Sequence, residues 1–235
     1  MKLVMFDMDG TLTDSFAIDE NCYVLAIEQA LDLTGVRTDW DGYTHTTSSF
    51  CLEEIVRHAR GRPPTSEESR AVQQRMMKLM DGNTRRTGRG TTEIPGAAAC
   101  VRALRARGYA VAIASGDWEM TARHKLTAAR IPFDDLPAAF CEASHVRTEI
   151  MLAALARAAA HHRCMHFERI VYVGDGSWDV RACRELGWPF VGVGRGEPAS
   201  RLNSLGATQV IPDYLEFGDF LSVIERAVSP RPAAA

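Results

Sequence analysis

No apolar run in this 235-residue chain approaches the roughly 20 residues needed to cross a bilayer. The amino terminus offers one lysine and the tetrapeptide Leu3-Val4-Met5-Phe6, but Asp7 and Asp9 interrupt it before it could form a signal-peptide core. The expected location is therefore the cytoplasm, with no membrane partner. A basic excess is also missing: 27 Lys and Arg stand against 30 Asp and Glu, a net charge of −3, which gives no reason to expect nucleic acid. The six cysteines are scattered without a Cys-x-x-Cys pair or a disulfide-framework spacing, so they read as reduced, small core residues. His161-His162-Arg163-Cys164-Met165-His166 gathers soft-metal ligands in one place, but a zinc site usually also needs ligands from a second segment to close its tetrahedron. That run reads as a solvated helix end. No internal repeat is found.

What is present is an ordinary globular balance, 46% hydrophobic and 24% charged, on a chain long enough to bury a substantial core. Leu3 to Phe6 has no polar alternation, the pattern of a strand covered on both faces in a parallel sheet. It runs into Asp7-Met8-Asp9-Gly10-Thr11-Leu12, which places two carboxylates at the carboxyl end of a strand, where open α/β sheets bind ligands. Asp-Gly is also a common turn, and Asp-x-Asp alone is a weak signal.

Beyond Leu12 the pattern becomes helical. Phe16, Tyr23, Ile27 and Leu31 form one apolar stripe, and Phe50, Leu52, Ile55, Val56 and Ala59 a second. Thr65-Ser66-Glu67-Glu68 makes a capping box for a third helix carrying Val72, Met76, Leu79 and Met80. Residues 15–92 therefore read as a helical insertion, leaving through the hinge-like Arg85-Arg86-Thr87-Gly88-Arg89-Gly90, and residues 1–14 with 93–235 read as one α/β core. In that core Tyr109–Ala114 and Arg169–Val173 are further buried strands, Pro189–Val193 and Thr208–Ile211 shorter ones, and 147–158 a helix. The Gly192-x-Gly194-x-Gly196 run reads as a flexible turn and Pro230–Ala235 as a frayed tail. The fold class is α/β: a doubly wound parallel sheet with an inserted α-helical cap.

Three strands then deliver polar groups to one sheet edge: Asp7 and Asp9, Ser115, and Asp175 with Asp179 one helical turn on. Singly, Ser115 could cap its helix and Asp179 could serve a helix amino terminus. Jointly, four carboxylates in one pocket call for a positive charge between them. With no His or Cys beside them, a hard cation, magnesium first, fits best.

These residues resemble the haloacid dehalogenase superfamily of phosphotransferases, in its phosphoglycolate phosphatase-like form with a helical cap. Asp7 to Leu12 matches its Asp-x-Asp-Gly-Thr-Leu motif, Ser115 the hydroxyl ending a hydrophobic strand, and Gly174, Asp175 and Asp179 the Gly-Asp-x-x-x-Asp motif. The usual lysine is replaced by Arg147, which keeps the charge and adds a planar fork for phosphate oxygens. Lys125 or Arg123 could supply that charge instead.

The resemblance implies a phosphatase that hydrolyses a small phosphomonoester through an aspartyl-phosphate. Asp7 would be the nucleophile and Asp9 the general acid and base. Magnesium would be held by Asp7, the backbone carbonyl of Asp9, Asp175 and Asp179. Thr11, Ser115, Gly116 and Arg147 would hold the transferred phosphoryl group. A sugar phosphomutase shares all these residues, and a catalytically silent module is the alternative outside catalysis. Substrate choice would lie in the cap, with Ser15, Tyr43, His45 and Thr46, beside Phe16, Trp40 and Thr47, facing the leaving group; Trp40 and Tyr43 could equally pack the cap. The partner would be a small phosphorylated metabolite such as a sugar phosphate or phosphoglycolate, and the protein a monomer or homodimer.

Overall fold

The computed structural model describes residues 1–232, apart from the side chains of Phe16 and Ala17. Phe16, placed on an apolar stripe and at the cap hinge, thus lies outside the described side chains, and residues 233–235 of the expected tail lie outside the described chain. Six strands form one parallel sheet: β1 (Lys2–Phe6), β4 (Ala110–Ala114), β5 (Ala138–Ala139), β6 (Arg169–Gly174), β7 (Phe190–Val193) and β8 (Val210–Ile211). Their spatial order is β5-β4-β1-β6-β7-β8. β1 lies inside the sheet, and its side chains divide by the twofold period of a strand. Leu3 and Met5 join one buried cluster while Val4 and Phe6 join another, so both faces are covered.

Helices α6 (Arg147–His162) and α7 (Ser177–Leu186) cover the first face through Met151, Ala154, Val180 and Cys183. Helices α4 (Ala97–Ala106) and α9 (Phe217–Arg226) cover the second through Val101, Leu104, Phe220 and Ile224. Strand order reverses beside β1, with β4 on one flank and β6 on the other, which opens a crevice at their carboxyl ends.

Between the core's first two parallel strands run α1 (Phe16–Leu31), α2 (Ser48–Arg60) and α3 (Ser66–Thr87). α3 opens on the capping box: the Glu68 N–H donates to Thr65 Oγ1 at 3.1 Å and the Thr65 N–H to Glu68 Oε2 at 2.7 Å. Tyr23, Ala26 and Ile27 of α1 meet Val72, Met76 and Met80 of α3 in the first cluster, which is continuous with the sheet. Tyr23 stacks on Trp118 of the core, ring centroids 5.5 Å apart. A two-stranded antiparallel ribbon, β2 (Thr13–Asp14) with β3 (Thr92–Glu93), brings the two ends of the helical segment together.

Three features differ from the sequence reading. The hinge-like arginine stretch is mostly helix, since α3 continues to Thr87 before Gly88 ends it. The glycine run is structured: Gly192 lies in β7, and Gly196 precedes α8 (Glu197–Ser204). A β-carbon on Gly192 would come within 2.8 Å of Leu202 on α8, so packing of that helix requires its absence. The ribbon and β5, two residues per strand, are too short to show a period of two.

Candidate active site

Asp7 follows β1 directly, and its N–H extends the ladder to Val173 O at 2.9 Å. Its Oδ1 accepts from Arg147 Nη1 at 3.2 Å, although Arg147 is the first residue of α6, far off in sequence. Burial pushes the Asp7 carboxyl up. The Arg147 charge opposes this, as do hydrogen bonds from the Met8 N–H and the Ser115 hydroxyl.

Asp175, just past β6, accepts from Thr11 Oγ1 at 3.3 Å. Burial holds it well above the usual carboxylate range, and the charges of Asp7, Asp179 and Asp9 push the same way. Asp179, in the first turn of α7 and fully buried, accepts from the Gly176 N–H at 3.0 Å and from Tyr172 Oη at 3.4 Å. Burial and the Asp7 charge push it up to about 7, against the Arg147 charge. Gly10 lets the loop pass over this group. It sits at φ +70°, and a β-carbon there would lie 2.0 Å from Asp175 Oδ2.

Asp7, Asp175 and Asp179 each offer an oxygen within 4.8 Å of the others. Arg147 is the guanidinium beside this group: it lies against both buried members, Asp7 and Asp179, its Nε 3.8 Å from Asp179 Oδ1, while Asp175 is partly exposed. An all-oxygen, negatively charged donor set suits a hard divalent cation rather than zinc.

Asp9 lies in a second group. Its Oδ1 accepts from Ser15 Oγ and, at 3.2 Å, from Thr13 Oγ1; its Oδ2 lies 2.5 Å from Lys125 Nζ. Lys125 is fully buried and also meets Asp19 and Asp117, each at 2.8 Å. The three carboxylates keep it charged and outweigh the cost of its burial. Burial pushes Asp19 up to about 7 despite the Lys125 charge.

Residues 1–187 match the family model of haloacid dehalogenase-like hydrolases. The chain belongs to that family. Solved structures agree at the level of fold. A hydrolase from Pseudomonas syringae is 20% identical, covers 94% of this chain and 98% of its own, with a TM-score of 0.67. A candidate β-phosphoglucomutase from Bacteroides vulgatus is 18% identical over 96% of this chain and 89% of its own, also at 0.67. A predicted phosphoglycolate phosphatase from Haemophilus somnus is 18% identical over 94% and 98%, at 0.56. No curated protein matches the chain. No helix among the described residues is long and apolar enough to cross a membrane.

In this haloacid dehalogenase-like hydrolase a cavity of about 110 Å³ lies between the sheet edge and the helical segment. Asp7, Asp9, Ser115, Gly116, Arg147 and Asp175 line it from the core. Ser115 directly follows β4 and is buried, its Oγ accepting from the Asp117 N–H at 3.3 Å; Gly116 O accepts from the Ser48 N–H at 2.8 Å. Of the positions expected in the helical segment, Thr46 lines the cavity, with Trp40 and Thr47.

Four expected positions do other work. Tyr43 turns away, its hydroxyl donating to Arg37 O at 2.8 Å and its ring stacked on Trp40, because the short 3-10 turn of residues 40–42 reverses the chain before it. His45 packs edge-on to Phe50 and lines a neighbouring hollow with His145. Ser15 is buried and holds Asp9. Thr11 has its hydroxyl on Asp175 and its N–H on Met8 O at 3.2 Å, so it supports a carboxylate rather than standing open to phosphate. The sequence reading missed Asp19, Glu20, Tyr23, Asp117 and Trp178 as cavity residues. Only two carried a local signal: Asp117 follows the motif serine by two residues, and Trp178 lies inside Gly-Asp-x-x-x-Asp.

Proposed function

We propose that this protein is a magnesium-dependent phosphatase that hydrolyses a small phosphomonoester through an aspartyl-phosphate on Asp7. The observation that carries this reading is the Asp7–Asp175–Asp179 group, one oxygen from each within 4.8 Å, with Arg147 at its side and the cavity in front of it. Magnesium would be held by Asp7, Asp175 and Asp179, with the Asp9 carbonyl, and when bound would lower the repulsion between a carboxylate nucleophile and a phosphate dianion. Arg147 orients Asp7 by holding one of its oxygens and presents the rest of its fork toward the phosphoryl oxygens. Ser115 and the backbone at Gly116 complete the cradle.

Asp9 serves as general acid and base. Its carboxylate is held by Ser15 and Thr13 on one side and Lys125 on the other, so its exchange between Lys125 and the leaving oxygen is the protein movement the reaction needs. With residues 15–92 as a cap, the aromatic and hydroxyl side chains of that segment exclude water from the reacting group. The same core residues serve a phosphomutase, in which the phosphoryl group returns to a sugar phosphate instead of water.

The test is release of inorganic phosphate from a panel of small phosphomonoesters, with and without magnesium, in the intact protein and in Asp7→Asn. Magnesium-dependent release that falls by on the order of 1000-fold or more in the variant is expected. Release that survives Asp7→Asn contradicts the reading, and absence of release with isomerisation of a sugar phosphate once its bisphosphate is added moves it to a mutase.

A further inference from the structure

Beyond Asp7 the cavity changes character. Its far wall is formed by Tyr23 and Trp40, whose rings meet almost at right angles, 82° between planes with centroids 5.7 Å apart. Tyr23 is backed by Trp118 and Trp40 by Tyr43, so each ring is fixed from behind. Glu20 also lines the cavity, and its Oε2 accepts from Trp40 Nε1 at 2.7 Å. That bond sets the indole's orientation and makes its π face more electron-rich. The Glu20 carboxylate keeps lone pairs for a further donor. Thr47 Oγ1, buried on the same cavity wall, has no hydrogen-bond partner.

The charge balance points the same way. Asp9, Asp19, Glu20 and Asp117 line the cavity, and among the described lining residues Arg147 is the one lysine or arginine. Arg147 is engaged with Asp7, and Lys125 is enclosed behind the wall by Asp9, Asp19 and Asp117. A leaving group with its own carboxylate or second phosphate would therefore face carboxylates with no cation to receive it. A cationic leaving group would meet the aromatic corner of Tyr23 and Trp40 and the Glu20 carboxylate, the kind of setting in which ammonium groups are recognised.

We propose that the ester carries an ammonium group on its leaving alcohol, making the substrate class small aminoalkyl or quaternary-ammonium phosphates, with Tyr23, Trp40 and Glu20 determining specificity. This rests on the phosphatase reading and narrows it, away from sugar phosphates and phosphoglycolate. The test compares kcat/KM for three matched esters with the intact magnesium-loaded protein: phosphocholine, its uncharged isostere 3,3-dimethylbutyl phosphate, and phosphoglycolate. The ammonium ester should exceed the isostere by about tenfold or more, the scale of a desolvated cation–π contact, and phosphoglycolate should be poorest. Glu20→Gln and Trp40→Leu should each bring the ratio of the first two esters toward one. Phosphate release with the isostere or phosphoglycolate preferred overturns the inference while leaving the phosphatase reading in place. No release from any of the three, nor from p-nitrophenyl phosphate, overturns both.

Discussion

Lys125 and Arg147 divide the positive charge of the site between two tasks. Arg147 lies against Asp7, beside the position proposed for the phosphoryl group, whereas Lys125 is sealed among Asp9, Asp19 and Asp117 with no exposed surface. Removing a buried partner leaves uncompensated charge, so Lys125→Met should destabilise the protein by about 3–5 kcal/mol, measured by urea unfolding. Asp9 would then lose the group that holds its Oδ2, and activity should fall further than the folded fraction does. A loss of stability under about 1 kcal/mol would show that the cluster contributes little. The sequence left open whether Arg147 or Lys125 serves the phosphoryl group, because both begin or follow helices near the motif strands. Their contacts differ: Arg147 starts its helix and reaches Asp7, while Lys125 lies on α5 (Glu119–Ala128) and reaches Asp9, which supports Arg147 for that role.

At the scale of elements, the strands that carry chemistry were legible because each is an unbroken apolar run ending in a polar residue. The helical segment was legible from its stripes and from the capping box at Thr65. The ribbon of β2 and β3 was not, since its pairing depends on two distant dipeptides brought together by the packing of α1 on α3. Nor was the contact that fastens the residue 40–42 turn to the core: Asp41 accepts from Ser177 Oγ at 2.5 Å, lies 3.6 Å from Arg181 and pairs with Arg201. Both arginines are more than half exposed, so this contact adds under about 1 kcal/mol to stability. Its effect falls instead on the position of Trp40, the residue before it. Asp41→Ala should therefore raise KM several-fold with little change in the urea midpoint, and this effect should shrink at high salt as screening weakens the wild-type contact. An unchanged KM would detach the turn from substrate binding.

For the whole molecule, the buried carboxylates make stability depend on pH. Asp179 and Asp19 are both pushed up to about 7, chiefly by burial, whereas in the unfolded chain each titrates near ~3.9. Between those values the folded protein keeps protons that the unfolded chain has released, so stability falls as pH rises. Metal-free protein should lose on the order of 2–4 kcal/mol for each such carboxyl between about pH 4 and pH 8, seen as a falling melting temperature. Magnesium should restore much of the loss at the alkaline end, where it takes the place of protons among Asp7, Asp175 and Asp179. A melting temperature that rises across this range without metal would contradict the charge arrangement described. The sequence led to the expectation that Asp7, Asp175 and Asp179 share one edge of the sheet, but gave no sign of Asp19. It could not show which side chains stand between them, since that depends on the depth of each helix against the sheet.

The central claim is that Asp7 accepts the phosphoryl group. Brief mixing of the magnesium-loaded protein with a hydrolysed ester, acid quenching and mass spectrometry of the amino-terminal peptide tests it most directly. The account predicts the added mass of one phosphoryl group on the peptide that contains Asp7, and none in Asp7→Asn. Turnover with the label on another residue, or with no covalent intermediate under conditions that trap acyl phosphates, would contradict it.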